Sequence, residues 1–436
     1  MFTYYLRLAW ISIFKHWGLS LLMVIAIGLG IGATMTTVTV NYLMSSNPIP
    51  HKSSVLHNVQ LDSWDLNQPF RDDGSPPNQV TYRDGIALFE AKMAAKQSIQ
   101  AQANGVIEPE TQGSLPFMVT ARANSADFFS MFDVPFIYGD SWDHNSDINK
   151  EQVVVLNREV NQRVFGGENS VGRTIKINGY YYKVVGVIDY WDPKPRFYDI
   201  STGAFNDSEE IFVPFSMLTE QKIGRSGNTN CWKPVGDGFD AFLQSECVWL
   251  QFWVELPNLS AKNDYMSFLN AYTEQQKDLG RFQRPTNNRL PNVTEWLEQQ
   301  EVVADDAIMM MTMSLMFLIV CLLNTVGLLL SKFLGKASEI GLRQALGASK
   351  QTLFLQYIIE SACIGLAGGV MGLLFAWLGL KGIDALYGDI LTGLTSLDIP
   401  MFILALIIAI VCTILAGIYP TWRACNVQPS QQLKAQ

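Results

Sequence analysis

The chain has 436 residues, of which 48% are hydrophobic and only 16% charged, with a formal net charge of −9. That length allows two or three domains, and such a low share of charge excludes an ordinary soluble globule. The acidic balance repels nucleic acid, so no nucleic-acid partner is expected.

The opening stretch, MFTYYLRLAWISIFKHWG, is aromatic and basic. It fits a helix over residues 1–17 lying in the cytoplasmic membrane interface. Residues 18–44 form the first of four segments that reach the roughly 20 apolar residues needed to span a hydrocarbon core. The others cover 306–331, 352–380 and 399–421. The first run exceeds the roughly 7–15 residues of a signal-peptide core, and no A-x-A site follows it, so it reads as a retained span. Gly28 and Gly32 lie four apart within it, as Gly365 and Gly369 do in the third span. Small residues at that spacing let helices approach closely in lipid. They serve packing within one bundle or a seam between two copies.

Between the first two spans, residues 45–305 have ordinary globular composition. A Pro- and Ser-rich neck leads into a strand near VLHNVQLDSW. TYRDGIALFEAKMAAKQSIQAQA has helical spacing. SADFFSMFDVPFIYGDSWD reads as a short helix and a turn, EQVVVL as a buried strand, and NREVNQRVFGG as a helix closed by glycines. TIKINGYYYKVVGVID reads as a hairpin about Asn178-Gly179. From about 192 to 246 Gly, Asn, Ser and Pro accumulate, which marks an inserted subdomain or a large loop. CVWLQFWVEL returns as a strand and NDYMSFLNAYTEQQKDLG as an amphipathic helix. VTEWLEQQEVVADDAIMMM reads as one helix running straight into the second span. Removing nine basic and five acidic residues in or beside the spans leaves this domain, counted with the adjoining Asp306, 22 basic and 35 acidic residues, a charge near −13.

GENSVGRT, residues 167–174, nearly fits a phosphate-binding loop, but Arg173 replaces the lysine. It also follows a helix and opens a strand, the reverse of the true loop. The four histidines form no H-E-x-x-H pattern and no triad, so neither metal nor cofactor is expected. Cys231 and Cys247 are the only cysteines in the middle domain. In an oxidising compartment such a pair points to one disulfide.

Arg7, Lys15, Lys332, Lys336, Arg343, Lys350, Arg423 and Lys434 flank the termini and the 332–351 loop, against a single Glu339. The positive-inside rule therefore puts both termini, the tail 422–436 and that loop in the cytoplasm. The 381–398 loop, with Asp384, Asp389 and Asp398 against Lys381, lies outside with the middle domain. Within the cytoplasmic loop, Glu339 and Arg343 can pair at i,i+4. Ile340, Leu342 and Leu346 add an apolar component beside small residues. The segment reads equally as an ordinary turn or as a low helix that inserts into a groove of another protein.

SEIGLRQALGASKQTLFLQYIIESACIGLAGGVMG resembles the signature of the MacB/FtsX-type ABC transporter permeases. AGIYPTWRACNVQPSQQLK is similar to that family's closing segment, through Pro420, Ala424, Pro429 and Leu433. VVVLNREVNQRVFGGENSVGRTIKINGYYYKVVGVI resembles its extracytoplasmic core. The resemblance implies an α+β membrane protein of the bacterial inner membrane: four transmembrane helices in 1+3 order, with a large mixed α/β extracytoplasmic domain between helices 1 and 2. It implies a non-catalytic permease subunit of an ABC transporter, with Glu339, Gly341, Arg343, Ala345 and Gly347 in or beside a coupling helix that docks on a separate cytoplasmic ATPase. The expected partners are that ATPase, a second permease copy or sibling, membrane lipid, and a periplasmic adaptor with an outer-membrane channel. The expected work is export driven by mechanotransmission. The alternative is an FtsX-like signalling scaffold that activates a cell-wall hydrolase.

Overall fold

The structure is a computed structural model that describes residues 2–109, 115–302, 305–387 and 399–426. Of the predicted 381–398 loop, residues 381–387 continue the preceding helix, while 388–398 and the tail beyond Asn426, with Pro429 and Leu433, lie outside the described residues. The chain divides into two compact units, residues 46–302 and the remainder. It begins with helices α1 (Phe2–Lys15) and α2 (Trp17–Met44), separated only at His16.

The 46–302 unit is built on one mixed sheet. Its strands are β1 (Leu56–Asn58), β2 (Val80–Thr81), β3 (Lys96–Glu108), β4 (Phe117–Asn124), β5 (Phe136–Gly139), β6 (Val153–Leu156), β7 (Thr174–Ile177), β8 (Tyr180–Ile188), β9 (Ile211–Pro214) and β10 (Val248–Glu255). The order is β1-β10-β3-β4-β9-β6-β8-β5, with β2 on β10 and β7 between β3 and β8. The β4–β9 and β6–β8 pairs are parallel. Helices α3 (Tyr82–Ala91), α4 (Asp127–Met131), α5 (His144–Ile148), α6 (Arg158–Phe165), α7 (Phe215–Glu220), α8 (Phe239–Leu243), α9 (Leu259–Asp278) and α10 (Val293–Gln299) complete it.

Alternation along the strands feeds two cores, because successive side chains point to opposite faces. Phe252 and Val254 of β10 join Ile211 and Val213 of β9 in one. Trp253 and Phe212 enter the other, beside Phe128, Phe132, Tyr198 and Trp296. Trp253 and Trp296 meet edge-on, with ring centroids 6.2 Å apart.

Local chemistry sets the element ends. Asn178 and Gly179 both have positive φ, 50° and 84°, and join β7 to β8 with Ile177 opposite Tyr180. That is the two-residue hairpin geometry that Asn-Gly favours. Asn157 caps α6 by accepting the Val160 N–H, and Gly166 ends it in the left-handed region. Two readings from the sequence need correction here. The helix predicted through TYRDGIALFEAKMAAKQSIQAQA stops at Ala91, with Lys92 at φ 50°. Its second half is β3, where Ser98 to Ala101 are buried and the backbone pairs on both sides.

The second correction concerns α10. It does not run on as one helix into the next span. The Val302 N–H bonds the Leu297 carbonyl and the Glu301 N–H bonds that of Glu298, with Glu301 at φ 50°. This is the Schellman closure that ends a helix, here on a residue other than glycine. The following helix starts afresh at Asp305.

The 192–246 stretch is woven into the sheet rather than standing apart as a subdomain. It supplies β9, which lies between β4 and β6. The 3₁₀ turn Phe197–Thr202 is pinned by a fully buried ion network. Arg122 of β4 reaches Asp199 at 2.7 Å and also pairs with Glu209, which Arg196 meets at 3.2 Å. Gln251 of β10 donates to Asp199 at 2.7 Å. Four charges buried together need such mutual satisfaction to be tolerated. Cys231 and Cys247 are joined by a disulfide with a Cα–Cα distance of 4.2 Å, and Asn230 forms a bridge to Val248 beside it.

In the other unit, α11 (Asp305–Leu334), α12 (Ala337–Ala345), α13 (Lys350–Tyr387) and α14 (Ile399–Cys425) follow. Helices α2, α11, α13 and α14 are long and apolar enough to cross a membrane. The glycines line their contacts. A Cβ on Gly28 would lie 2.9 Å from Met371 Cγ, and one on Gly32 2.6 Å from Phe375 Cβ, so α2 presses on α13 there. A Cβ on Gly365 or Gly369 would crowd Thr413 and Ala409 of α14. All four glycines thus face neighbours within this one bundle.

Candidate functional site: the α12 loop

The polar insert between the second and third membrane helices folds as α12, nine residues long. Its first bond, Ile340 N–H to the Lys336 carbonyl at 3.0 Å, makes Lys336 the residue before the helix. It closes with a second Schellman pair, Gly347 N–H to Gln344 and Ala348 N–H to Arg343. Gly347 has φ 99°, a conformation side chains oppose, so glycine is needed there. Ser349 then caps α13 by accepting the Thr352 N–H.

Glu339 and Arg343 come together as their spacing predicts, 2.6 Å apart. Arg343 also donates to Gln356 Oε1 of α13 at 3.2 Å. Gln344 donates to the Cys425 carbonyl at the end of α14, at 3.1 Å. Two helices, α13 and α14, therefore fix the orientation of α12. Ala337 and Ile340 face the bundle and are buried. Ile340 is thus an anchor and not part of an exposed apolar surface. The outward ridge carries Leu342, 59% exposed, and Leu346, 80% exposed, beside exposed Ala345 and Gly347 and half-buried Gly341. The arrangement presents a low apolar ridge, flanked by an ion pair, on a rigidly seated helix.

Sequence reasoning missed a cluster just before α12. Glu360 of α13 receives Lys332 Nζ at 2.8 Å and Lys336 Nζ at 3.6 Å. The Ser12 hydroxyl of α1 donates to the same carboxylate. Lys332 also donates to Ser20 Oγ of α2, at 3.0 Å. Lys332 counts in the sequence as a flanking cation, whereas the fold buries it completely.

Four helices long and apolar enough to cross a membrane, in 1+3 order, with a mixed α/β domain after the first and a short polar helix between the second and third, make the architecture of a multi-pass membrane protein. The chain matches the MacB-like periplasmic core domain over residues 20–257 and the FtsX-like permease C-terminal domain over residues 311–429. It belongs to the MacB/FtsX-type permease family and is a multi-pass inner-membrane protein. Similar proteins include the macrolide export ATP-binding/permease protein MacB of Chlorobium luteolum, 23% identical over 305 residues, which cover 67% of this chain and 39% of that protein. The MacB of Acinetobacter baylyi is 20% identical over 315 residues, covering 71% of this chain and 41% of its own. The chain thus spans about two fifths of the length of these relatives. Among solved structures, the periplasmic region of MacB from Actinobacillus actinomycetemcomitans matches with a TM-score of 0.37 at 16% identity, over 58% of this chain and 94% of that one.

Proposed function

We propose that the protein is the permease subunit of an ABC exporter, and that α12 is its coupling helix. In this reading both termini and α12 face the cytoplasm, and a separate ATPase subunit seats the Leu342–Leu346 ridge in a groove. Two permeases pair. Nucleotide-driven closure of the ATPases displaces α12, and the bundle passes that motion to the 46–302 domain. The domain then expels a substrate on the periplasmic side, with an adaptor and an outer-membrane channel receiving it. Glu339, Gly341, Arg343, Ala345 and Gly347 act together: the ion pair and the glycine turn hold the ridge in place, and the small residues keep it low enough to enter a groove.

The observation that carries this reading is the exposed leucine pair on a helix tied at Arg343 to α13 and at Gln344 to α14. Exposed apolar groups on a rigid element fit a protein partner, since binding them orders little that was free.

The test is affinity purification of the detergent-solubilised chain from its own membranes, with identification of what accompanies it. An ABC ATPase whose hydrolysis the permease stimulates is expected. Capture of a cell-wall hydrolase in place of an adaptor would replace export by the signalling role. Impermeant thiol labelling of a Ser338→Cys variant in intact cells must fail. Labelling from the periplasmic side would overturn the reading.

A further inference from the structure

We propose that Glu360 is a positioning residue: its carboxylate ties the start of α12 to α1 and α2, so that these elements move as one body. The inference rests on the coupling role given to α12 and names how displacement there enters the bundle.

The geometry is specific. One oxygen, Glu360 Oε1, meets three groups from three places in the chain: it accepts from the Ser12 hydroxyl of α1 and forms ion pairs with Lys332 of α11, at 2.8 Å, and with Lys336 of the turn before α12, at 3.6 Å. Lys332 extends the link to Ser20 of α2, and Lys336 donates to Ser12 as well. Glu360 itself belongs to α13. Exposure of the three charged side chains is 0% for Lys332, 1% for Glu360 and 11% for Lys336.

Stability alone does not explain such a cluster. Well-packed apolar residues in place of a buried ion pair are often as stable or more so. Ionisable groups inside a membrane bundle are expensive and mark working parts. Apolar helix faces can slide against each other, whereas directional bonds to one oxygen hold a single arrangement. Lys336 immediately precedes α12 and its carbonyl accepts the helix's first bond, so α12 cannot shift without drawing on Glu360 and Ser12.

The test measures the full-length permease in lipid nanodiscs by electron-spin distance measurement. Cys321, Cys363, Cys412 and Cys425 are replaced by alanine, and labels are placed at Ile11→Cys on α1 and Ser338→Cys on α12. The parent chain should give one narrow distance distribution. Glu360→Gln should at least double its width. Glu360→Asp keeps a carboxylate for Ser12, Lys332 and Lys336 and should narrow it again, whereas loss of packing alone would not discriminate Asp from Gln in this way. Leu353→Ala, which opens the nearby core, should lower the melting temperature without widening the distribution. If Glu360→Gln does not fold, Lys336→Met leaves the Lys332–Glu360 pair intact and should widen it instead. A width unchanged from the parent in either variant overturns the proposal. These distances are read on the permease alone, so they decide the point whether or not an ATPase accompanies it. Failure of the coupling role shows separately, as no ATPase recovered with the unsubstituted chain.

Discussion

Gly365 and Thr413 approach so closely that a Cβ on the glycine would overlap the threonine hydroxyl, which itself donates to the Ala409 carbonyl at 2.7 Å. The pair sets how near α13 and α14 lie. Gly365→Ala should therefore destabilise the bundle by about 1–3 kcal/mol through overpacking. Gly327→Ala on α11 is the control, because no atom outside its own stretch of helix lies within 4 Å of its added carbon. Helix propensity favours alanine there, so it should leave stability unchanged or raise it by up to about 1 kcal/mol. Thermal unfolding in detergent separates the two. Equal melting points for both variants would contradict this account of the packing.

The faces of α12 separate docking from seating. Leu342→Ser and Leu346→Ser together should lower recovery of the partner ATPase about tenfold, worth about 1.4 kcal/mol, and leave the melting point alone. Ile340→Ala removes a buried anchor and should cost about 2–5 kcal/mol of stability. Arg343→Glu places two carboxylates at i,i+4 and releases Gln356, so it should weaken ATPase recovery by unseating the helix. Wild-type recovery and stimulated hydrolysis in the leucine variant would remove the ridge from the interface.

Thiol labelling of the denatured, unreduced protein should miss both Cys231 and Cys247. Labelling of both would refute the bridge. Replacing both by serine should cost about 3 kcal/mol, as expected for a closed loop of this size, read as a lower denaturant midpoint for the 46–302 unit.

His57 supplies a pH dependence. It is buried on β1, and burial, with the Lys262 ammonium adding to it, pushes its imidazole down from 6.5 to about 4. The folded protein holds it neutral while the unfolded chain takes up a proton near 6.5. Its contribution is present above that pH and is lost as pH falls towards 4. Between pH 7.5 and 5.0 the parent should lose about 2 kcal/mol more stability than His57→Gln does. Asp147, which burial pushes up to about 6, titrates in the opposite sense. It is common to both proteins and cancels in the difference. Parallel stability curves for the two over that range would rule His57 out.

The parts legible in the sequence were those with local causes. Twenty-residue apolar runs announce the spans, and Asn178-Gly179 announces its hairpin because few other residues accept positive φ. Misreadings arose where an unusual residue took a common role. Glu301 closes α10 in a conformation that glycine normally fills, so nothing in the sequence flagged the stop. Ile211 to Pro214 form a strand of only four residues inside a stretch of loop-like texture. Its place between β4 and β6 depends on partners distant in the chain. On α12, the i,i+4 pair was readable, but which apolar residue faced inward was not, since Ile340 and Leu342 differ only in which neighbours they meet. The Lys332–Glu360 pair has no periodic relation in sequence and becomes visible only when α11 and α13 pack.

The place of β10 between β1 and β3 has a consequence for biogenesis. A ribosome delivers β1 and β3 long before it delivers the strand that joins them. Until Val248–Glu255 emerges, both carry open edges, and open edges invite pairing with other chains. The nascent chain is therefore open to mispairing from the emergence of β1 until that of Val248, and a truncation just before Val248 should aggregate whereas one just after Val302 leaves that sheet complete.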